Sequence, residues 1–313
     1  MMIKVAVGLG LALAAVVPLA TRSEYAVNLL ILFFLYVIVA QSWNLLGGFA
    51  GQVSLGHSAF FGTGALVTRL LWVSHMSIWC ALPAGAVAAA CLACLVGTPC
   101  LRMRSAYFPI GTLALSMIAQ ITVSNIFPVP GSLASEYIVT YSVLPRYYVA
   151  LLAASLTLFV VSKIVRSRTG LALVAIRDDE GAAEAMGVRT VRYKVLALII
   201  SSLLAGLGGG IFAFHQISYY YSAPFELSWS FLPTLTTFIG GLGTVVGPVI
   251  GAACFLGLSE LFALSLGEIH ILIFAVTFVI VVLFVPGGLM SLSEGIRAVT
   301  LRFVHRLRPD LQK

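Results

Sequence analysis

Side chains able to do chemistry are sparse in this 313-residue chain, and five of them crowd into one glycine-rich stretch. "NLLGGFAGQVSLGHSAFFGTGA" carries Asn44, Gln52, Ser54, His57 and Ser58. Amides, hydroxyls and a neutral imidazole at this spacing offer hydrogen bonding rather than bond cleavage. Scattered His57, Ser58 and His215 suggest a hydrolase only weakly, since no acid is placed to orient a histidine. Neither H-E-x-x-H nor G-x-S-x-G occurs, and no G-x-x-x-x-G-K-[ST] loop is present to hold a nucleotide. Cys91 and Cys94 have C-x-x-C form without a second ligand pair. With Cys80, Cys100 and Cys254 they lie in or beside apolar runs, and they read as small hydrophobes. No catalytic residue, metal or cofactor is expected. Thr112 and Ser116, one turn apart in "IGTLALS", form a second polar zone.

The elements that must position these residues are membrane helices. Sixty per cent of the residues are hydrophobic, 9% are charged and the mean hydropathy is +1.07, against about 25% charged in soluble domains. Apolar runs long enough to span a bilayer, roughly 20 residues, recur at about 4–21, 26–46, 53–73, 77–100, 106–127, 147–165, 195–215, 228–241, 248–267 and 270–286. Residues 53–73 are the most polar of these and 228–241 the shortest. The period-two alternation of a lipid-facing barrel is absent. The expected fold is all-α and polytopic, a single membrane domain over 1–313. It contains a charged loop at 163–194 and a basic tail at 295–313.

Cytoplasmic loops are enriched in Lys and Arg. Ten alternating spans from an inside N-terminus leave Arg22, Arg69 and Arg146 outside and the other fifteen of eighteen basic residues inside. Both termini are then cytoplasmic, and the net charge of +7 reports topology rather than nucleic-acid binding. The basic start, first apolar run and small residue at Ala20 also fit a secretory signal.

The loop 163–194 is long for a connector between neighbouring helices. Asp178, Asp179 and Glu180 stand where a short helix would begin, since acids suit the positive end of a helix dipole. Gly187 stands where it would end in a left-handed cap. Ala182, Ala185 and Met186 share one side of that helix, and Glu180 and Glu184 another. A small apolar face flanked by charge suits docking into a protein groove; the plainer alternative is a solvated connector.

Helices in lipid associate where small residues let backbones approach. Gly47 and Gly51 are four apart, as are Ser54, Ser58 and Gly62, then Ser202, Gly206 and Gly210, and Gly243, Gly247 and Gly251. These predict close helix packing. Polar groups at membrane depth need protein or a water-filled cavity to receive them, so residues 44–58 read as a tight, broken helix crossing at the wall of a translocation route. His57 either lines that route or braces a neighbouring helix. The tyrosines of "HQISYYYSAPFE" fit an interfacial belt, and Glu226 lies near the outer face.

Four stretches carry a resemblance. "GLALVAIRDDEGAAEAMGVRTVRYKVLA" resembles the EAA-type cytoplasmic loop of ABC importer permeases in its branched-chain amino-acid form. The opening stretch, "RMRSAYFPIGTLALSMI" and "SAPFELSWSFLPTLTTFIGGLGTVVGPVIGA" resemble other parts of the same family, closest to its M-type subunit. The resemblance implies a bacterial inner-membrane importer with a second, H-type permease, two cytoplasmic ATPases and a periplasmic binding protein. It makes 178–187 a coupling helix seated on an ATPase, with Arg177, Asp178, Asp179, Glu180, Ala183, Glu184 and Gly187 at the matching positions. Leu171 stands where an Arg is common, and "FPVPGSLASEYIV" lacks the Gly-Gly-rich run of many relatives.

The expected function is therefore ATP-driven import of branched-chain or other hydrophobic amino acids by alternating access. Asn44, Gln52, Ser54, His57, Ser58, Thr112 and Ser116 are the candidate pathway residues. Related permeases for urea or short amides share the pattern. A gradient-driven transporter or channel would instead need ionisable residues within spans, where Glu260 is nearly the only acid.

Overall fold

A computed structural model describes residues 23–101, 107–132 and 141–266, together with Pro18, Tyr137, Val139 and 288–290. The expected spans 4–21 and 270–286 and the tail 295–313 lie outside them, apart from Pro18. The described chain is helical: α1 (Glu24–Asn44), α2 (His57–Val73), α3 (Ile78–Leu101), α4 (Tyr107–Ile126), α5 (Val143–Val165), α6 (Arg168–Asp178), α7 (Glu180–Ala185), α8 (Thr190–His215), α9 (Ser228–Gly240) and α10 (Gly247–Leu266). Among the described residues, five stretches are long and apolar enough to cross a membrane: Glu24–Phe49, Ile78–Gly97, Tyr107–Ile126, Val143–Val165 and Thr190–His215. Helix α2 has only 17 residues, about 25 Å at 1.5 Å per residue. It relies on the chain before it to complete the crossing.

Burial identifies the axis of the bundle. The apolar windows of α1 and α8 are 72% and 67% buried inside the protein, whereas that of α4 is 22% buried. Helices α1 and α8 are thus wrapped by protein, and α4 lies at the edge. An aromatic cluster fills the middle: Phe61 stacks on Trp229 with centroids 4.2 Å apart, and Phe212 meets Trp229 edge-on at 5.2 Å. Cys80, Cys91 and Cys94 are free and exposed on α3, so these three are surface positions and not core ones.

Small residues set the closest approaches. A side chain at Gly64 would strike the backbone of Gly206, and one at Gly209 would strike the carbonyl of Phe61. Helices α2 and α8 therefore touch backbone to backbone. Gly206 and Gly210 also face α3, against Ala89 and Leu82. The other spacings resolve differently. Gly47 lies under its own Trp43 ring, Gly51 and Gly243 adopt φ of +70° outside any helix, and Gly247 opens α10 against the Gly241 carbonyl. Spacing of four marks a helix face only where a helix continues, and at 47–51 and 243–247 it does not.

The linkers gather at two ends. At the basic end, the 45–56 break, the α6–α7 segment and the 241–246 turn meet. At the opposite end, β1 (Pro130–Ser132) pairs antiparallel with β2 (Ser218–Tyr220), with Gly131 opposite Tyr219. These strands join the linkers that follow α4 and α8. Tyr220 is exposed there, as an interfacial residue would be, whereas Tyr219 is buried.

The α2–α8 contact yields a paired expectation. Gly209→Ala forces two backbones apart and should cost about 1–3 kcal/mol, as overpacking does. Gly257→Ala, with nothing within 4 Å of the new methyl, should be neutral or slightly stabilising. Thermal unfolding of the detergent-solubilised chain separates the two; equal midpoints would contradict the packing described.

Candidate functional site

The polar stretch forms a break between α1 and α2. Helix α1 ends in a π-helical turn, Leu45–Phe49, and residues 50–56 then run without regular structure before His57 opens α2. Backbone groups released by such a break need partners when buried. Trp43 Nε1 donates to the Ser54 carbonyl at 2.8 Å, Gln52 N donates to the Leu46 carbonyl at 3.0 Å, and Leu55 N donates to Thr112 Oγ1 at 3.1 Å. Ser54 Oγ accepts from Gly56 N at 3.3 Å. Thr112 hands its own proton to the Pro109 carbonyl. The edge helix α4 is thereby tied to the break.

Asn44 closes the basic end. Its Nδ2 donates to the Thr244 carbonyl at 2.7 Å, and its Oδ1 accepts from Gly243 N at 2.9 Å. Arg177 joins the same cluster: Nη1 donates to the Gly48 carbonyl at 3.2 Å, and the side chain lies against Gly51 and Gly243. Residues far apart in sequence thus converge on one point, which explains the positive φ of Gly243. A side chain there would meet Arg177 Nη1 and the Gly48 carbonyl.

His57, Ser58, Ser54 and Ser116 are fully buried. Ser201 Oγ donates its single proton to the Ser42 carbonyl at 2.6 Å. It must therefore accept from His57 Nε2, 3.0 Å away. His57 is then the Nε2–H tautomer, and this chain of bonds links α2, α8 and α1. Ser230 donates to Ser58 Oγ at 3.0 Å and accepts from Ser58 N at 2.9 Å, joining α9 to the start of α2. Ser116 bonds back to the Leu113 carbonyl of its own helix. Among the candidate pathway residues, Gln52 lines a cavity. That cavity, about 950 Å3, opens at the basic end between the break (Gly51, Gln52), the start of α4 (Phe108, Pro109) and the α7–α8 region (Glu180, Lys194).

The charged loop is more structured than expected. An additional helix, α6, precedes α7, and α7 itself spans only Glu180–Ala185. Asp179 caps α7 by accepting from Ala182 N at 2.9 Å. At its other end Gly187 N donates to the Glu184 carbonyl and Val188 N to the Ala183 carbonyl, with Gly187 at φ +86°; this is a Schellman cap. Glu180 pairs with Lys194 Nζ at 2.5 Å, and Thr190 Oγ1 donates to Glu184 Oε1 at 2.6 Å. Both acids are thus bound to the first turns of α8. Ala183 is buried on the inner side of α7, whereas Arg177 stays exposed, reaching the Gly48 carbonyl with Nη1 and pairing with Asp178 at 3.0 Å through Nη2. Ala182 and Ala185 are exposed, as are Met186 at 85% and Leu171 at 71%. The free surface of this segment combines the small apolar residues with exposed acids at Asp178, Asp179, Glu180 and Glu184. The partners Ser201, Ser230, Thr190 and Lys194 had no motif to announce them; each is an ordinary residue of a span or a span end.

At the opposite end, Arg69 and Arg146 are buried rather than solvated. Arg69 Nη2 donates to the carbonyls of Gln216 (2.9 Å), Ile217 (3.1 Å) and Gly131 (3.2 Å). Arg146 Nε donates to the Phe214 carbonyl at 2.9 Å, and its Nη1 to that of Ser142 at 2.6 Å. Carbonyls at the end of α8, which no later turn can satisfy, are taken up by these two arginines.

Comparison with known proteins agrees with this architecture. The family described as "Branched-chain amino acid transport system / permease component" matches residues 25–290. The chain is 27% identical over 307 residues to the "High-affinity branched-chain amino acid transport system permease protein LivM" of Escherichia coli, covering 87% of this chain and 71% of that one. Identity and coverage are the same for the protein of that name in Salmonella typhimurium. A "Probable branched-chain amino acid transport permease protein LivM" of Methanocaldococcus jannaschii is 22% identical over 108 residues, 34% of this chain and 31% of its own. No solved structure matches. A match across the helices, the break and the α6–α8 segment alike makes the chain a member of the family of branched-chain amino acid transport system permease components.

Proposed function

We propose that this permease is the M-type half of an ATP-driven importer carrying branched-chain or related hydrophobic amino acids across the bacterial inner membrane. It works with an H-type permease, two cytoplasmic ATPases and a periplasmic binding protein. The basic end faces the cytoplasm, with both termini on that side, and the strand-bearing end faces out.

The observation that carries this reading is how α7 is mounted. Ala182, Ala185 and Met186 face away from the protein, while Ala183 is buried and Glu180 and Glu184 hold the helix to α8 through Lys194 and Thr190. A helix free on one side and tied on the other is suited to passing a push inward. Arg177 supplies a second tie, to the break at Gly48. Movement of an ATPase against residues 178–187 would displace α8 and the break together. Through His57–Ser201 and the Gly209–Phe61 contact, it would then reach α2. On this reading Gln52 lines the route, and Asn44, Ser54, His57, Ser58, Thr112 and Ser116 hold its wall.

The reconstituted complex with its own binding protein tests the assignment. Leucine, isoleucine or valine should stimulate ATP hydrolysis; stimulation by urea or short amides instead would reassign the substrate. Deleting 178–187 should abolish ATP-dependent uptake while the chain still inserts. The Glu180–Lys194 pair allows a finer experiment. Glu180→Lys or Lys194→Glu alone should lower transport per ATP hydrolysed at least fivefold, and the double exchange should restore a substantial part. Transport per ATP that is unaffected by either single change would refute this transmission route.

A further inference from the structure

Arg69 has no part in the function described so far, yet it is among the largest fully buried side chains and carries a charge. Its surroundings are unusual for a buried cation, which ordinarily pairs with a carboxylate. Its hydrogen-bond partners are three backbone carbonyls, all served by Nη2, while Nε and Nη1 are buried without an acceptor. Aromatic faces supply the remaining contact: the guanidinium lies 4.8 Å from the Tyr219 ring centroid and 5.7 Å from that of Trp72. Burial raises the Tyr219 phenol above its ordinary range in spite of the neighbouring guanidinium. The ring is therefore neutral, and no phenolate balances Arg69.

The three carbonyls belong to two different linkers. Gly131 lies on β1, after α4, and Gln216 and Ile217 precede β2, after α8. Arg69 itself is on α2. One side chain thus draws both strands onto a third element, at the end of the bundle away from the 950 Å3 cavity. Beyond β2 the chain dips inward: Phe225 is buried against Gly62, and Ser230 is fully buried against Ser58. Whatever opens this end must lift these linkers from α2, and the Arg69 bonds lie across that parting surface.

Arg146 provides an internal comparison. It too binds carbonyls near the end of α8, but its acceptors are Phe214 on α8 and Ser142 at the start of its own helix α5. It joins helix to helix, and none of its nitrogens is stranded. An arginine serving only to cap α8 would look like Arg146. Arg69 instead bridges two linkers and leaves two guanidinium nitrogens without an acceptor, a costly arrangement in a dry interior. Opening would bring water to those groups and relieve that cost, so closure is held against a standing tendency to release.

From this we infer that Arg69 is the latch of the outer gate: it holds β1 and β2 on α2 when the outer end is closed and releases them when that end opens. The inference rests on the importer reading for its orientation and cycle. Its test reads side-chain labelling and not transport, so its failure is separable from failure of that reading, which ATP hydrolysis and uptake judge.

The experiment uses the assembled complex in intact cells, with the five native cysteines replaced by serine and Ser230→Cys as reporter. A membrane-impermeant maleimide is added from outside, and the labelling rate is measured. The parent should label slowly. Arg69→Gln should raise the rate at least tenfold, Tyr219→Leu should raise it by a smaller factor, and Arg146→Gln should leave it near the parent. An unchanged rate in an assembled Arg69→Gln complex overturns the inference, as does an equal rise in Arg146→Gln. If Arg69→Gln does not assemble, Tyr219→Leu decides: faster labelling upholds the latch and the parent rate refutes it.

Discussion

Inside a bilayer every backbone polar group must be satisfied by the protein itself, and this chain meets that demand at a helix that stops partway. The α1–α2 break frees amides and carbonyls over residues 45–56. They are met by Trp43, by Thr112 from the edge helix and by Arg177 from the α6–α7 segment. Each partner comes from a different element, so the break cannot shift alone. Its irregularity is what ties the edge helix, the axis of the bundle and the charged segment into one mechanical unit.

Helix α8 carries that unit from end to end. Its first turns hold Glu184 and Glu180 through Thr190 and Lys194; its middle holds α2 by backbone contact at Gly209 and through Ser201 to His57. Its last carbonyls hold Arg146, and the linker directly after it holds Arg69. Under the proposed coupling, a displacement of one end would be felt at the other through one continuous helix of 26 residues. Direct backbone contact between α2 and α8 at Gly64, Gly206 and Gly209, beside the Phe61–Phe212 and Trp72–Phe214 ring contacts, favours this. Two backbones in contact have no rotamers to absorb motion, so a shift passes on rather than dissipating locally.

Much of this was legible in the sequence because lipid leaves strong signatures. Apolar runs locate the helices from α1 to α10 within a few residues, apart from α6 and α7, and acid and glycine at the ends of α7 mark its caps. The fold's partners were harder to read. Asn44, Arg69, Arg146 and Arg177 all bind backbone carbonyls, and a carbonyl belongs to every residue alike, so no motif announces it. Charge counting put Arg69 and Arg146 on the side opposite the charged loop, and they do lie at the opposite end of the bundle, but a count of charges says nothing of their burial or their carbonyl partners. Small-residue spacing likewise identified Gly206 and Gly210 but also Gly51 and Gly243, where the chain turns rather than continues as helix. Spacing is a statement about a helix only once the helix is known to exist.

The distribution of acids bears on the source of work. A gradient-driven carrier must bind its coupling ion on groups that face the route. Among the described residues, Glu260 accepts from the Tyr25 hydroxyl at 2.7 Å, which joins α10 to the first turn of α1. Glu24 sits in that same first turn, and Glu226 is exposed after the 3-10 turn Ala223–Phe225. The remaining acids among the described residues are Asp178, Asp179, Glu180 and Glu184, all in or beside α7. Glu180 and Glu184 are already committed to α8, and Asp179 to capping. The break, by contrast, is built from neutral amides and hydroxyls that hold shape without titrating. Among the described residues, negative charge is concentrated in and beside α7, where Asp178, Asp179, Glu180 and Glu184 also border the basic-end cavity that Gln52 lines. None of it lies within the break itself, so an ion-coupled step would have to use acids at the rim of that cavity and not groups at membrane depth.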